Sequence, residues 1–288
     1  MFDSNRLASF LAFGEDLNFT RAAARLHISQ PALHVQIRKL TEDVGSPLYR
    51  RVGRALELTS AGRELLGFGR ELRDRTDTFL VSLKGGGAQS VALAAGEGTL
   101  LYGLGPAVRK AAQLPGIRLR ILTRDREGTL AALASAEAHL GVTTLDVVPD
   151  GMEAVLLRRA APLLVMPRGH RLSHRRRVQL TDLAGERLIL PPLGRPHRAL
   201  VARALEAAEV RWEMAVEATG WEVMLHYAAL GVGMAIVNDV CRVPAGAIGR
   251  PLSGIPAIAY YVLHARRMPL SAPARALKSL IVEAFARR

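Results

Sequence analysis

The 288-residue chain carries 39 Lys and Arg residues against 26 Asp and Glu residues, a net charge of +13, and 49% of its residues are hydrophobic. This apolar content can form folded cores and excludes a disordered chain, and the length suits two or three domains. Apolar runs stay well short of the ~20 residues that a membrane helix requires, and the first residues lack a signal-peptide pattern, so we expect a cytoplasmic protein. The positive charge favours polyanionic partners such as nucleic acid.

The sequence motifs that would indicate a disulfide, a bound dinucleotide or a metal site are each incomplete or poorly placed. Cys241 is the only cysteine, so neither an intrachain disulfide nor a two-cysteine switch can form, and we interpret it as a small buried hydrophobe. Residues 96–98 resemble the start of a dinucleotide fingerprint, but Leu101 stands where the third glycine belongs. His170 and His174 have a metal-ligand spacing within an arginine-rich segment that opposes a metal. We therefore expect no enzyme, no catalytic residues, no metal and no cofactor.

Two short helices joined by a tight turn are predicted between residues 18 and 42. Asn18 is a good N-cap for the first helix, Ser29 can cap the second, and the first turn of that second helix tolerates Pro31. Apolar residues then recur at helical spacing and predict one buried stripe: Leu33, Ile37 and Leu40. This pattern is typical of a helix-turn-helix in which the second helix reads double-stranded DNA.

A β-hairpin with a basic tip is predicted next, over residues 48–58, and it suits a wing that contacts phosphates or a minor groove. Eight basic residues stand against three acidic ones from residue 18 to 63, so the charge lies where DNA would bind. We expect DNA contacts from the polar faces of the helices and from the wing: Thr20, Arg21, Gln30, Pro31, His34, Gln36, Arg38, Arg51 and Arg54.

This region resembles the signature of LysR-type transcription regulators. The resemblance is carried, almost without a break, by residues 19–23, 26–33, 36–40, 45–51 and 58–62. It implies an N-terminal all-α winged helix-turn-helix that binds DNA. Two positions depart from the family pattern, since His34 stands where serine is common and Thr41 where glutamate is usual. The first departure leaves the base preference open but not the DNA binding.

One long helix is predicted over residues 59–84, and three glycines at 85–87 end it in a flexible hinge. Its apolar residues recur three or four positions apart: Leu65, Phe68, Leu72, Thr76, Phe79 and Leu83. A narrow apolar stripe on a long helix predicts coiled-coil pairing, and the alternative is packing on its own domain. The resemblance also implies that linker helices pair two chains, so we expect a dimer and its further association to a tetramer.

Strands and helices alternate from residue 91 onward, which predicts an α/β domain with largely parallel sheets. The predicted strands are 91–95, 117–123, 139–143, 162–166, 188–190, 212–218, 234–237 and 258–263. This part resembles, more loosely, the family's two-lobed effector domain, which is similar to periplasmic binding proteins. The matches are residues 166–172, 178–183 and 229–236, and Ala138-His139 departs from a frequent leucine-aspartate.

The expected domains are therefore a winged head over 1–58, a linker helix with its hinge over 59–90, and an effector-binding domain over 91–288. Lobe I is expected at 91–161 and 267–288, and lobe II at 162–266.

Ligands of open α/β sheets bind at the carboxyl ends of strands, which predicts an effector cleft between the lobes. The strand ends supply the candidates Gly98, Thr99, Thr123, Thr143, Arg195, Thr219 and Asn238. Arg195 and a helix N-terminus at Thr99 lean towards an anionic effector, whereas Glu97 argues against one. We expect a promoter-binding regulator modulated by a small molecule. A solute-binding protein would leave residues 1–84 unexplained, and an oxidoreductase would need a cofactor fingerprint.

Overall fold

The computed structural model describes residues 3–53, 55–83 and 89–286, so Arg54 and the predicted glycine hinge lie outside the described residues. The first elements are α1 (Ser4–Asp16), α2 (Phe19–Arg25), α3 (Gln30–Val44), β1 (Tyr49–Val52), β2 (Ala55–Leu58) and α4 (Ser60–Leu83). The remaining helices and strands are, in chain order, β3 (Gln89–Ala95), a π-helical segment (Thr99–Leu104), α5 (Gly105–Ala112), β4 (Ile117–Thr123), α6 (Arg126–Ala134), β5 (Leu140–Thr144), β6 (Met152–Ala160), β7 (Pro162–Pro167), two 3-10 segments (Arg171–His174 and Leu180–Leu183), β8 (Arg187–Leu190), α7 (Pro196–Ala207), β9 (Glu213–Glu217), α8 (Trp221–Ala229), β10 (Met234–Asn238), β11 (Ala247–Pro251), β12 (Ile258–Ala265) and α9 (Ala272–Ala286).

The head (residues 3–58) is a helix-turn-helix with a wing, as its local signals predict. The Asn18 side chain accepts a hydrogen bond from the Arg21 N–H at 3.1 Å, and Ser29 accepts one from the Ala32 N–H at 3.3 Å. His27 takes a left-handed φ of 54° in the turn between α2 and α3. These caps end one helix and start the next within a few residues. The winged helix-turn-helix is therefore confirmed.

The core of the head forms between α1, α3, the wing and the first turns of α4. Its fully buried side chains include Phe10, Phe13, Leu33, Ile37, Leu40 and Leu48. Phe13 lies 4.3 Å from Phe19 and 5.1 Å from Tyr49 between ring centroids. Leu65 and Leu66 of α4 complete this core, so the linker helix begins as part of the head.

Beyond the head, the apolar stripe of α4 faces outward. Leu65 is buried, whereas Phe68, Leu72 and Phe79 are 46%, 44% and 61% exposed. The Leu83 side chain lies outside the described residues. The predicted stripe thus divides into a part that packs on its own head and a part that is largely exposed.

The effector domain contains two five-stranded sheets, each of mixed direction. The sheet orders are β4-β3-β5-β12-β6 and β11-β7-β10-β8-β9. The pairs β3–β4, β3–β5, β8–β9 and β8–β10 are parallel, and the other four pairs are antiparallel. The expectation of largely parallel sheets is therefore wrong, because the strands beside both crossings between the sheets run against their neighbours.

The expected boundary at residue 266, where lobe II is predicted to end, is also wrong. β12 pairs with β5 and β6, with Val262 opposite Val142 and Val155, so it belongs to lobe I. Lobe I comprises residues 89–160 and 258–286, and lobe II comprises 162–251. The first crossing follows Ala160 and consists of Ala161 alone between β6 and β7.

Gly62 marks the closest approach of α4 to the wing. A Cβ at this position would lie 1.8 Å from the main-chain oxygen of the buried Leu48. Gly62→Ala must push α4 off the wing, and we expect it to destabilise the chain by about 1–3 kcal/mol. Gly105→Ala is the matched control, because no atom lies within 4 Å of its Cβ position. Thermal unfolding followed by circular dichroism compares the two, and equal melting temperatures would contradict the packing argument.

Candidate functional site

One face of α3 is exposed beside the wing. Leu33, Ile37 and Leu40 occupy the buried side. The opposite side exposes Pro31, His34, Val35, Arg38 and Lys39. Thr20 and Arg21 of α2 and Gln30 of α3 are also exposed at the start of this face, and the Thr20 hydroxyl donates to Gln30 Oε1 at 3.4 Å. The face is mainly polar and basic, with two apolar side chains, Pro31 at its start and Val35 near its centre.

His34 is held in place although it is exposed. Its ring stacks on Phe19 with centroids 3.6 Å apart and an interplanar angle of 15°. Phe19 itself is buried in the head core. The imidazole therefore sits on a fixed apolar platform and can present its nitrogens to a partner without further ordering.

The structure revises one of the predicted DNA contacts and leaves another untested. Gln36 is half-buried and its Oε1 accepts a hydrogen bond from the Ser9 hydroxyl of α1, so this side chain joins two helices of the head. Arg54 lies outside the described residues. Sequence reasoning overlooked Val35, which is 41% exposed, and Lys39. A helical wheel places both opposite the buried stripe, and that signal could have found them.

The wing presents its arginines differently. Arg51 is exposed and its Nε donates to the Gly53 main-chain oxygen at 3.2 Å, which keeps the side chain near the hairpin tip. Arg50 instead pairs with Glu57 across the hairpin at 3.2 Å. Arg51 is therefore the better placed of the two to meet a phosphate.

A second site lies between the lobes, where the carboxyl ends of parallel strands meet. Ala95 pairs with Thr123 and Val142 in lobe I, and Ile189 pairs with Ala235 in lobe II. The loops that follow enclose a cavity of about 540 Å³. Every predicted effector residue lines it: Gly98, Thr99, Thr123, Thr143, Arg195, Thr219 and Asn238. Strand direction alone thus brings these residues together, and their contact with a ligand stays a prediction.

The polar floor of the cavity is internally bonded. Asn238 Nδ2 donates to the Tyr260 hydroxyl at 3.0 Å, and its Oδ1 accepts from the Val240 N–H at 3.3 Å. Burial raises the pKa of Tyr260 to about 12, while hydrogen bonds from Asn238 and Thr99 oppose that rise. The floor is therefore a rigid, uncharged network. Sequence reasoning missed Tyr260 because it assigned β12 to the wrong lobe.

An ion pair spans the cleft. Arg195 Nη1 of lobe II lies 2.8 Å from Asp125 Oδ2 of lobe I, and we call this pair the interlobe clasp. Asp125 also caps α6 by accepting from the Gly128 N–H at 2.9 Å. This backbone hydrogen bond first, and Arg195 second, lower the pKa of Asp125. Arg195 is therefore already paired with a carboxylate and is not a free cation for an anionic ligand.

Two further arginines at the cavity also face carboxylates. Arg124 lies 3.2 Å from Glu137, and Arg126 lies 3.3 Å from Asp146. Glu97 lines the cavity beside the start of α8. Because Arg124, Arg126 and Arg195 are each paired with a carboxylate, the expectation of an anionic effector loses its main support.

An aromatic wall closes the other side. His197 and Trp221 line the cavity with ring centroids 5.4 Å apart. His197 Nε2 donates to the Ile236 main-chain oxygen at 2.8 Å, and burial lowers the His197 pKa. Its Nδ1 is buried without a hydrogen-bond partner in the part of the chain that the structure describes. The neutral ring therefore keeps one unsatisfied acceptor, which is buried behind the cavity wall rather than exposed to the cavity.

Two family models match the chain. "Bacterial regulatory helix-turn-helix protein, lysR family" covers residues 4–63, and "LysR substrate binding domain" covers residues 84–286. The chain belongs to the LysR family. It is a DNA-binding transcription regulator with an effector-binding domain, and the family's members are regulators rather than enzymes.

Relatives and solved structures agree with this assignment. The RuBisCO operon transcriptional regulator of Allochromatium vinosum is 28% identical over 239 residues, 81% of this chain and 78% of that protein. A full-length OxyR variant from Pseudomonas aeruginosa shares the fold with a TM-score of 0.75 at 18% identity, over 99% of this chain and 95% of that one. Full-length CbnR in complex with its target DNA has a TM-score of 0.64 at 22% identity, over 99% of each chain.

Cys241 of this LysR-family regulator lines the cavity but is a poor nucleophile. The side chain is half-buried, and burial raises the pKa of its thiol. Reactive cysteines instead carry a lowered pKa, because the thiolate is the attacking species. The thiol thus serves as an apolar part of the cavity wall.

Other kinds of site are absent from the described ranges. No group of three or more His, Cys, Asp and Glu side chains there is placed to hold a metal ion. None of the helices described combines enough length and apolarity to cross a bilayer.

His197 gives the LysR-family regulator a measurable pH dependence. The unfolded chain holds His197 at its ordinary pKa of ~6.5, whereas burial lowers that pKa in the folded state. As pH falls below ~6.5, the unfolded state takes up a proton that the folded state resists, so stability present at pH 7 is lost. We expect His197→Gln, whose amide can still donate to Ile236, to lose less stability between pH 7 and 5 than the unchanged protein. Urea unfolding at both pH values tests this, and identical losses would contradict it.

Proposed function

We propose that this regulator places α3 in the major groove of a promoter and rests its wing on the adjacent backbone. One observation carries the proposal: the exposed face of α3 lies beside the wing and, apart from Pro31 and Val35, bears polar or basic side chains. A helix of this kind fits the ~12 Å width of the groove. CbnR, which shares the fold, was solved in complex with its target DNA, and this supports DNA binding by the present chain.

The side chains divide by role. His34, Arg38 and Gln30 suit base edges, and Val35 suits a thymine methyl group. Thr20, Arg21 and Lys39 suit the phosphates, as does Arg51 of the wing. Pro31 has no hydrogen-bond donor and is proposed to contact the DNA through its ring alone. Gln36 leaves the proposed contacts because α1 holds it. Arg54 remains a predicted contact outside the described residues.

His34 tests base reading. We expect His34→Ala to weaken binding to the gene's own upstream fragment by about 1–3 kcal/mol and to leave binding to random DNA of equal length nearly unchanged. Gel shifts measure both affinities. Because His34 also stacks on Phe19, circular dichroism melting must confirm that the head remains folded, and exposed His226→Ala serves as the matched control. Equal losses on both DNAs would assign His34 to the backbone or to packing.

We further propose that a small molecule occupies the cavity between the lobes. Its volume of about 540 Å³ falls within the ~300–1,000 Å³ typical of ligand pockets. The hydroxyls of Thr143 and Thr219 offer hydrogen bonds, and the indole of Trp221 offers an aromatic wall. A ligand that contacts both lobes changes how strongly the interlobe clasp holds them together, and this differential binding shifts promoter occupancy.

Thr219 tests the placement of the effector. It lines the cavity and is exposed, so Thr219→Val removes a hydroxyl with little effect on packing. For a metabolite that raises the melting temperature of the full chain, we expect about a 2- to 10-fold loss of affinity, the net value of one hydrogen bond. Calorimetry measures it, with Thr181→Val as control. A metabolite whose affinity is unchanged by Thr219→Val would move the site elsewhere.

Two copies of the chain would place two heads on one promoter. The exposed part of the α4 stripe, with Leu72 and Leu80 more than two-fifths exposed, supports pairing with the same helix of a second copy. Paired heads match half-sites about one helical turn apart, and pairing of dimers would extend the footprint as a tetramer. We place this activity in the cytoplasm, where promoter DNA is accessible.

A further inference from the structure

α4 touches lobe I of its own chain along one face. Gly67, Arg70 and Asp74 recur at helical spacing on this face. Arg70 Nη1 donates to the Ser135 main-chain oxygen at 3.3 Å. A Cβ at Gly67 would lie 3.6 Å from the Ala134 main-chain oxygen, so the helix approaches this loop closely. The same helix, on another face, is part of the head core.

One imidazole joins this helix to the sheet of lobe I. His139 Nδ1 accepts a hydrogen bond from the Ala92 N–H of β3 at 2.9 Å, and its Nε2 lies 3.0 Å from Asp74 Oδ1. Since an N–H donates to Nδ1, that nitrogen carries no proton, and the ring proton lies on Nε2 and is donated to Asp74. The side chain of His139 is 14% exposed and that of Asp74 is 35% exposed, so water competes only partly for this bond.

We infer that His139 and Asp74 are positioning residues for promoter binding, because they fix the angle of α4, and with it the head, against lobe I. The inference rests on the proposed function, since it assumes two heads on two half-sites. Asp74 lies 14 residues beyond Ser60, the first residue of α4, or about 21 Å along the axis at ~1.5 Å per residue. A tilt of about 10° there moves the head by about 4 Å, close to the ~3.4 Å rise of the duplex per base pair along its axis.

The pair is specific to its two side chains. A carboxylate in place of His139 would face Asp74 with the same charge and would repel it. An asparagine there can accept from the Ala92 N–H through its oxygen but is too short to reach Asp74. His139→Asn therefore keeps the bond inside lobe I and removes only the connection to α4.

The test uses the full chain and DNA derived from its own footprinted upstream site, with the half-sites separated by zero to several inserted base pairs. Asp74→Ala and His139→Asn remove the connection, and Asp77→Ala removes the same charge from an exposed position on the same helix. Affinity for each spacing, and for a single half-site, is measured by gel shift.

We expect the unchanged protein and Asp77→Ala to prefer the native spacing sharply. Asp74→Ala and His139→Asn should reduce that preference by about fivefold or more while binding a single half-site equally well, and the double variant should match the single ones. Identical spacing profiles, or equal weakening on every DNA, would overturn the inference alone. Failure of the unchanged protein to prefer its own upstream DNA over random DNA would overturn the proposed function as well.

Discussion

The packing of α4 against two separate bodies is the constraint on which this regulator depends. On the head side, Leu65 and Leu66 are buried in an apolar core, where each contributes about 1.5–3 kcal/mol. On the side of lobe I, the contacts are hydrogen bonds from the Arg70 guanidinium and from His139 to the Asp74 carboxylate. Each involves a charged group and is worth about 1.5–3 kcal/mol net where it is shielded from water. The two joints therefore differ in kind: the joint with the head is a buried apolar core, and the joint with lobe I is a small set of polar bonds that water reaches in part.

Short sequence signals predicted the features that depend only on neighbouring residues, such as helix caps. Asn18 and Ser29 cap the N-termini of their helices as expected, because a cap depends only on the residues beside it. The partner of a strand is a different matter. β12 shows the same apolar run in either lobe, and only its pairing with β5 and β6 assigns it. β6 and β11 escaped prediction, since the first is largely exposed on one side and the second contains Gly249 and Pro251.

The cleft shows the same division. Its lining threonines could be predicted because parallel strands bring their carboxyl ends to one edge. The chemistry of Arg195 could not be predicted, because its partner Asp125 lies 70 residues away on the other lobe. A charged side chain that appears unpaired in the sequence is thus paired, in the folded chain, with a distant residue of opposite charge. The cavity therefore offers a ligand mainly hydroxyls and an indole.

The first passage of the chain between the lobes is a single residue, Ala161, and its N–H donates to Asp239 at 3.1 Å while Arg158 grips the same carboxylate at 2.8 Å. So short a tether, pinned at that point, leaves the lobes no room to slide or separate. Rotation about an axis through Ala161 is the freedom that remains. During such a rotation, atoms far from Ala161 move farther than atoms near it. The interlobe clasp spans this hinge, so its two side chains move apart in proportion to their distance from Ala161.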